Sequence, residues 1–103
     1  MLIYSHRGYK DKENTMNAFI NALNTFDGIE FDVRLTKDYI PVVIHDYNLL
    51  RTHNSNKIIH LTEYKDLKKY KLPLLIDVLK LVKDKKKRCL IDIKSKKDTQ
   101  FII

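Results

Sequence analysis

Short apolar runs alternate along the chain with segments in which apolar residues recur at helical spacing, and this alternation predicts an α/β fold. The first run, residues 2–4, predicts a strand that ends before Gly8. Over residues 16–26 the apolar positions recur every three or four residues, which predicts a helix with Asn14 or Thr15 as its N-cap.

Two strands are predicted to follow this helix. Gly28 stands where the helix is expected to stop, and residues 28–33 alternate apolar and acidic side chains, as a strand does. Residues 41–44 are rich in β-branched side chains, which predicts a third strand. Because the connection between the two strands is too short for a helical crossover, it is expected to run back extended, with a turn near residues 37–38.

The second half of the chain predicts a loop, two helices and a fourth strand. Residues 48–57 are polar and loop-like, and Thr62 is a plausible N-cap for a short helix over residues 63–70. Pro73 suits the first turn of the next helix, whose apolar residues repeat at i, i+3, i+4 and i+7. Residues 89–93 predict the fourth strand.

Composition narrows the class of protein. The chain has 103 residues, one cysteine and a formal net charge of +7. This length suits a single domain over residues 1–103, and one cysteine excludes a disulfide framework. No apolar run is long enough to span a membrane, and the first residues are too few and too soon charged for a secretory signal. We therefore expect a small cytoplasmic domain.

The basic charge has two interpretations. A net positive charge invites a nucleic-acid partner. The densest basic run, residues 83–88, comes where a helix should end, however, and cations suit a helix C-terminus. We favour the solvated helix end and expect no nucleic-acid partner.

Polar and charged side chains stand at the C-terminal ends of the predicted strands. Because the carboxyl ends of parallel strands form the active-site edge of an α/β sheet, these groups are expected to converge. They are His6 and Arg7, Glu30 and Asp32, His45 and Asp46, and Asp92 and Lys94.

The acidic residues of this set suggest a metal site. Glu30 and Asp32 lie two positions apart on a strand, so both project from the same face. Two carboxylates on an inward face are costly to bury unless they are paired or bind a cation, whereas on an exposed face they are ordinary surface acids. Asp92, at a similar depth on another strand, favours the metal site, and oxygen-only ligands suit Mg²⁺ or Ca²⁺.

Two of the four histidines are candidates for a general acid and a general base. An imidazole titrates near neutrality, and His6 and His45 lie at the ends of two different strands. Each alone is more often structural, but as a pair beside an acidic metal site they favour catalysis. His53 and His60 are interpreted as surface residues.

Arg7 and Lys94 complete the candidate site. Three carboxylates, a divalent cation and these two basic side chains leave one net positive charge, which a phosphodiester monoanion would neutralise. Arginine is well shaped for phosphate oxygens. The alternative for each basic side chain is an ion pair with a neighbouring acid.

At these residues the sequence resembles the glycerophosphodiester phosphodiesterase family, which is related to the phosphatidylinositol-specific phospholipase C barrels. Each short motif is weak alone, but together, in the same order and spacing, they are specific and extend over nearly the whole chain. The matching stretches are residues 6–8, 13–15, 30–38, 42–46 and 92–94.

The resemblance implies a TIM-type (β/α)₈ barrel and metal-dependent hydrolysis of a glycerophosphodiester to glycerol 3-phosphate and an alcohol. It implies His6 and His45 as the acid and base, in an order that the sequence does not give. It also implies a loop role for Glu13 after the first strand. The implied metal ligands are Glu30, Asp32 and Asp92, and the implied substrate contacts are Arg7 and Lys94.

Three positions depart from the pattern of this family. The family usually has Glu where this chain has Asp92, so the ligand is one methylene shorter and is expected to bind the metal more weakly or through water. Lys12 stands where a proline is common, and Tyr39 where the family has a turn glycine. These two departures concern loop geometry more than chemistry.

The length of the chain conflicts with a complete barrel. Eight strand–helix units take about 200 residues or more, so we expect a truncated half-barrel with about four parallel strands. Such a half-barrel would leave sheet edges unpaired and an apolar face exposed. Three alternatives follow: a homo-oligomer that covers these edges, an inactive remnant, or a non-catalytic module that binds phosphate.

Overall fold

The structure, a computed structural model, describes residues 3–8 and 13–94, so that Lys12 and the start of the first apolar run lie outside it. The strands are β1 (Tyr4–His6), β2 (Gly28–Leu35), β3 (Pro41–Val43) and β4 (Arg88–Ile93), and the helices are α1 (Met16–Leu23), α2 (Leu50–His53) and α3 (Leu75–Asp84). Three 3₁₀ turns, Ile59–Leu61, Tyr64–Asp66 and Lys68–Tyr70, lie between α2 and α3. Within these described ranges, no helix is long and apolar enough to cross a membrane.

Strand β2 is the centre of a four-stranded sheet. β1 pairs in parallel with the first residues of β2, and β4 pairs in parallel along its other edge. β3 pairs antiparallel with the last three residues of β2. The prediction of about four parallel strands therefore holds for three of them. β3 runs antiparallel because its short connection to β2 cannot make a crossover.

The register of these strands places the polar residues close together. His6 lies opposite Glu30, and Asp32 lies opposite Asp92. β3 runs back along β2, and the backbone N–H just after β3 donates to the Asp32 carbonyl at 3.0 Å. His45 therefore returns to the level of the acidic residues rather than lying at the far end of the sheet.

Helices α1 and α3 pack against one face of the sheet. Phe31 of β2 is fully buried there, and its ring centroid lies 5.6 Å from that of Phe19 on α1. Ile29 and Val33 belong to the same core. Because side chains alternate along a strand, Glu30 and Asp32 project from the opposite face, away from the helices.

The helices begin close to where the sequence predicts. Thr15 is the N-cap of α1, and its Oγ1 accepts a hydrogen bond from the Ala18 N–H at 3.2 Å. α3 buries the apolar positions that repeat at helical spacing. Pro73 lies two residues before α3, not in its first turn as predicted, because its carbonyl accepts a hydrogen bond from the Val43 N–H of β3.

Gly28 is the first residue of β2, as predicted, but it does not stop the first helix, which ends at Leu23 with Asn24 as its C-cap. A Cβ at Gly28 would lie 2.5 Å from the Arg88 carbonyl oxygen of β4 and 2.6 Å from the Tyr4 ring of β1. The close approach of three strands therefore requires glycine at this position.

The segment between β3 and α3 differs most from its prediction. In place of a loop over residues 48–57 and a helix over residues 63–70, the structure has the single turn α2 and the three 3₁₀ turns. Thr62 is not the predicted N-cap; it follows the 3₁₀ turn Ile59–Leu61 as its C-cap, and its hydroxyl donates to the Ile58 carbonyl. Short turns suffice because this segment buries its own apolar cluster: Val42, Ile44, Leu49, Ile59, Leu67 and Leu72.

Candidate active site

Acidic residues of β2 and β4 meet on the sheet face opposite the helices. Glu30, Asp32 and Asp92 each offer one carboxylate oxygen, and these three oxygens lie within 4.8 Å of one another. Asp32 is fully buried, whereas the Asp92 side chain is 47% exposed. This group, the acidic cluster, is therefore open to solvent on the side of β4.

Two cations and an amide surround the buried carboxylate of Asp32. Arg7 Nε lies 3.3 Å from its Oδ2 and Lys94 Nζ lies 3.7 Å from its Oδ1. The Asn14 amide donates to Oδ2 at 3.0 Å. Lys94 Nζ also lies 2.6 Å from Asp92 Oδ2, and this hydrogen bond raises the pKa of the Lys94 ammonium. The Lys94 ammonium thus stays charged beside the acids.

Glu30 is less well compensated than Asp32. Burial raises the pKa of the Glu30 carboxyl, and the neighbouring charge of Asp32 raises it further. His6 Nε2 lies 3.3 Å from Glu30 Oε1, but this buried oxygen has no hydrogen-bond partner among the described residues. A cation between the carboxylates would offset this unfavourable burial of like charge.

The donor set of the acidic cluster fits a divalent cation. All three donors are carboxylate oxygens, the ligand type that Mg²⁺ and Ca²⁺ prefer. The shorter side chain of Asp92 is accommodated because the register places this residue directly opposite Asp32. Its oxygen consequently remains within reach of the other two.

The loop after β1 approaches the sheet and α1 closely. Arg7 and Gly8 have positive φ angles of 53° and 81°, and the Arg7 N–H donates to the Glu30 carbonyl at 2.7 Å. A Cβ at Gly8 would lie 2.6 Å from the Ala18 Cβ of α1. Glycine at this position is what lets the loop carry Arg7 against Asp32.

A second group of charges, the Arg51 cluster, consists of Glu13, His45, Asp46 and Arg51. The Arg51 guanidinium donates paired hydrogen bonds to Glu13, at 2.8 and 2.9 Å, and to Asp46, at 2.9 and 3.0 Å. Asp46 Oδ1 lies 2.8 Å from His45 Nδ1. Arg51 lowers the pKa of the Asp46 carboxyl to about 2 and also lowers that of Glu13.

The two candidate acid–base histidines lie in different surroundings. His6 is 67% exposed and contacts Glu30 of the acidic cluster. His45 is 33% exposed and is held by Asp46 of the Arg51 cluster. The structure thus places one imidazole beside each group of charges.

A cleft of about 510 Å³ opens beside His45, and its walls include Glu13 and His53. His53 and His60, interpreted from the sequence as surface residues, are both half-buried. His53 stacks edge-on against Tyr70, with the ring centroids 5.8 Å apart. The cleft is large enough to admit a small polar molecule next to the His45 ring.

Sequence reasoning missed Arg51 altogether. Arg51 and Glu13 are 38 residues apart, and no local pattern connects them. The sequence pattern presents Asp46 only as a polar strand end, and Glu13 only as part of a loop motif. The available signal was the presence of Glu13 and Asp46 in two of the resembling motifs.

The departure at Tyr39 leaves the turn between β2 and β3 intact. Tyr39 has a φ of 63°, in the left-handed region that glycine adopts at least cost. The Thr36 hydroxyl donates to the Asp38 carboxylate and accepts from the Ile40 N–H at 3.0 Å. These side-chain bonds hold the turn in place of glycine.

The sequence is similar to that of known proteins. The sequence matches the Glycerophosphoryl diester phosphodiesterase family over residues 6–101. It is 43% identical over 96 residues to a glycerophosphodiester phosphodiesterase of Bacillus altitudinis, with 78% of this chain and 39% of that protein covered. It is 36% identical to one of Caldanaerobacter subterraneus, with 91% and 45% covered.

The fold is also similar to that of solved structures. The fold matches a glycerophosphodiester phosphodiesterase from Thermotoga maritima with a TM-score of 0.84 and 36% identity, over 97% of this chain and 47% of that one. The fold is therefore that of part of a TIM-type α/β barrel, as the sequence predicted. The chain belongs to the glycerophosphoryl diester phosphodiesterase family. It spans less than half the length of these relatives.

Proposed function

We propose that this chain hydrolyses a glycerophosphodiester to glycerol 3-phosphate and an alcohol. The observation that carries this proposal is the acidic cluster with two basic side chains against its buried carboxylate and an imidazole at its edge. This arrangement supports the proposal, because side chains able to bind a cation, to bind a phosphate and to carry a proton lie together on one open face of the sheet.

Arg7 and Lys94 would bind the phosphate. Both side chains are mostly buried and already face the acidic cluster through Asp32. With the three carboxylates and a divalent cation they leave one net positive charge, which the phosphodiester monoanion would neutralise. Arg7 could contact two phosphate oxygens at once because its guanidinium is planar and forked.

Glu30, Asp32 and Asp92 would hold the divalent cation, which we propose to be Mg²⁺ or Ca²⁺. A cation at this position supplies Lewis-acid polarisation of the phosphoryl oxygens. Asp32 would orient both basic side chains toward the phosphate, since it contacts each of them. Glu30 would be ionised in this state, because the added positive charge opposes the effect of its burial.

His6 and His45 would move the protons of the reaction. One neutral imidazole would take the proton from the attacking oxygen as this oxygen bonds to phosphorus. The other, as an imidazolium, would give a proton to the alcohol oxygen as the phosphorus–oxygen bond breaks. Attack by water would give glycerol 3-phosphate directly, whereas attack by the glycerol hydroxyl would give a cyclic phosphate that water opens in a second step. The exposure of His6 leaves its ring accessible to a substrate on the open face.

The test is the release of glycerol 3-phosphate from glycerophosphocholine by the 103-residue chain. We expect release with Mg²⁺, Ca²⁺ or Mn²⁺, and loss of release in EDTA, in His6→Ala and in His45→Ala. His60→Ala, which removes a half-buried histidine outside both clusters, serves as the matched control. A folded chain that releases no product with any of the three cations contradicts the proposed activity.

A non-catalytic module that binds phosphate is the second candidate function. It is favoured by the exposure of β4 to solvent, where Asp92 of the acidic cluster and the nearby Leu90 are both exposed. Such a module would bind glycerol 3-phosphate without turnover. Calorimetry separates the two functions: binding that is lost in Arg7→Gln, together with no product release, supports the module.

We also propose that a second copy of the chain covers the open side of β4. Exposed and half-buried side chains alternate along β4, and Leu90 is exposed at its centre. Light scattering should show a dimer for the wild-type chain and a monomer for Leu90→Glu. A wild-type monomer at high concentration would contradict this association.

A further inference from the structure

We propose that Arg51 is a positioning residue for His45. By holding the Asp46 carboxylate, Arg51 selects the His45 tautomer that carries hydrogen on Nδ1 and leaves Nε2 as the reactive nitrogen. The inference rests on the proposed function in one respect: His45 must transfer a proton. The choice of tautomer itself is a property of the chain without substrate.

The hydrogen bond between His45 and Asp46 has a single direction. Nδ1 and Oδ1 are 2.8 Å apart, and an ionised carboxylate can only accept. Nδ1 must therefore carry the hydrogen, and in neutral His45 the lone pair lies on Nε2. The pKa of the Asp46 carboxyl, lowered to about 2, is consistent with an ionised acceptor at neutral pH.

The geometry of Arg51 suits it to holding this carboxylate in one orientation. Its Nε donates to Asp46 Oδ2 at 2.9 Å and its Nη2 donates to Asp46 Oδ1 at 3.0 Å. The same guanidinium donates from Nη1 and Nη2 to the two oxygens of Glu13. A planar fork can bridge two carboxylates in this way, whereas a lysine ammonium presents a single point charge.

Glu13 links this arrangement to the acidic cluster. Its Oε2 lies 3.3 Å from Arg7 Nη1, and Arg7 Nε lies 3.3 Å from Asp32 Oδ2. Charges of alternating sign therefore extend from Asp32 through Arg7, Glu13 and Arg51 to Asp46. Arg51 thus sets the position of the His45 imidazole relative to a proposed phosphate ligand.

The short helix α2 presents Arg51 through contacts that do not involve the guanidinium. Leu49 is fully buried just before α2, and the Asn48 side chain accepts from the Leu50 N–H at 3.1 Å. Asn54 ends the turn with a φ of 52°. Because the Arg51 side chain is 52% exposed, its replacement should leave α2 packed.

The test uses nitrogen NMR of the full chain labelled with ¹⁵N-histidine, at a pH where His45 is neutral. We expect the Nδ1–H tautomer in the wild type and a mixture of tautomers in Arg51→Gln. Arg51→Lys should lie between these two. Asp46→Asn, whose amide can donate to Nδ1, should favour the Nε2–H tautomer. Arg88→Gln, which changes an exposed arginine of β4, is the matched control and should resemble the wild type.

The kinetic arm follows the same variants with glycerophosphocholine. We expect Arg51→Gln to lower kcat by about tenfold with little change in KM, because general acid–base groups contribute about 10²–10⁴-fold and only their alignment is disturbed. Arg51→Lys should recover part of kcat. If the wild type is inactive, the proposed function fails, while the NMR arm still decides on Arg51. An unchanged tautomer in Arg51→Gln overturns the inference whatever Asp46→Asn shows, and so does a changed tautomer with unchanged kcat.

Discussion

In the acidic cluster the sheet brings like charges together, whereas in the Arg51 cluster loops bring opposite charges together. Burial and the charge of Asp32 raise the pKa of Glu30, and Arg51 lowers the pKa of Asp46. A further cation would therefore offset the charge of the acidic cluster, while the Arg51 cluster pairs its charges with its own side chains. We infer that the first is where ligands bind and the second is where a catalytic group is held in position.

The largest effect on stability is expected from truncating the apolar core beneath the acidic cluster. Phe31 lies between Glu30 and Asp32 in the sequence of β2. Its side chain is fully buried on the opposite face of the sheet, where it packs on Phe19. Phe31→Ala should lower the free energy of unfolding by about 3–5 kcal/mol, since it removes a large buried side chain. Urea denaturation measures this loss.

The control for that experiment is Tyr47→Ala, which truncates an exposed aromatic residue near the Arg51 cluster. We expect its effect to stay within about 0.5 kcal/mol. If both variants lowered the free energy of unfolding equally, the acidic cluster would not depend on a buried core any more than the Arg51 cluster does.

A second, smaller effect is expected from neutralising the buried carboxylate of the acidic cluster. Asp32→Asn leaves Arg7 and Lys94 without their shared partner, which should cost about 1–3 kcal/mol of stability. Calorimetry with Mn²⁺ should also show that divalent-cation binding is lost. Asp77→Asn, on the exposed face of α3, is the control, and equal Mn²⁺ affinity in Asp32→Asn and Asp77→Asn would exclude Asp32 as a ligand.

The two clusters should also respond to pH with opposite sign. Asp46 has a pKa of about 2 in the folded chain against an ordinary value of 3.8, so its contribution to stability is present above pH 4 and is lost as pH falls through 2. Glu30 has a pKa raised above its ordinary value of 4.5, so its contribution is present below that pH and is lost as pH rises through the folded pKa.

Urea denaturation in EDTA between pH 2 and pH 7 tests this contrast. Asp46→Asn should be less stable than the wild type at pH 7 and nearly equal to it at pH 2. Glu30→Gln should be more stable than the wild type at pH 7 and nearly equal to it at pH 3. A Glu30→Gln variant that loses stability at neutral pH would show that the carboxylate is already compensated.

The smallest effect is expected at an ion pair outside both clusters. Lys65 Nζ lies 3.6 Å from Glu63 Oε1, and both side chains are well exposed. Lys65→Ala should change the free energy of unfolding by less than about 0.5 kcal/mol, because solvent screens exposed pairs. Thermal unfolding at low and high salt measures it. If Lys65→Ala lowered the free energy of unfolding as much as Asp32→Asn, the ion pairs within the two clusters would stabilise the fold no more than an exposed ion pair does.

The acidic cluster could be predicted from the sequence because strand geometry is local. Glu30 and Asp32 share a face whenever that segment is a strand, and the apolar positions of α1 and α3 could be recognised by their helical spacing. The two 3₁₀ turns over residues 64–70 could not be distinguished from a helix, because short apolar spacings suit both and only the surrounding cluster decides between them. The structural role of Gly28 could not be predicted for a similar reason, since glycine is required there by the close approach of β1 and β4.

The sequence by itself determined the family and the strand that carries the acidic pair, and it proposed the side chains that would bind metal and phosphate. Each of these depends on residues close together in the chain or on an ordered set of motifs. The short connection predicts that β3 turns back, but tertiary structure alone decided the register of β3 on β2, which returns His45 to the level of the acidic residues. It also decided that Arg51 meets Glu13 across 38 residues of chain. The contact between Arg51 and Glu13 depends on how two distant loops pack on separate apolar cores. The spacing of residues along the chain does not specify this packing.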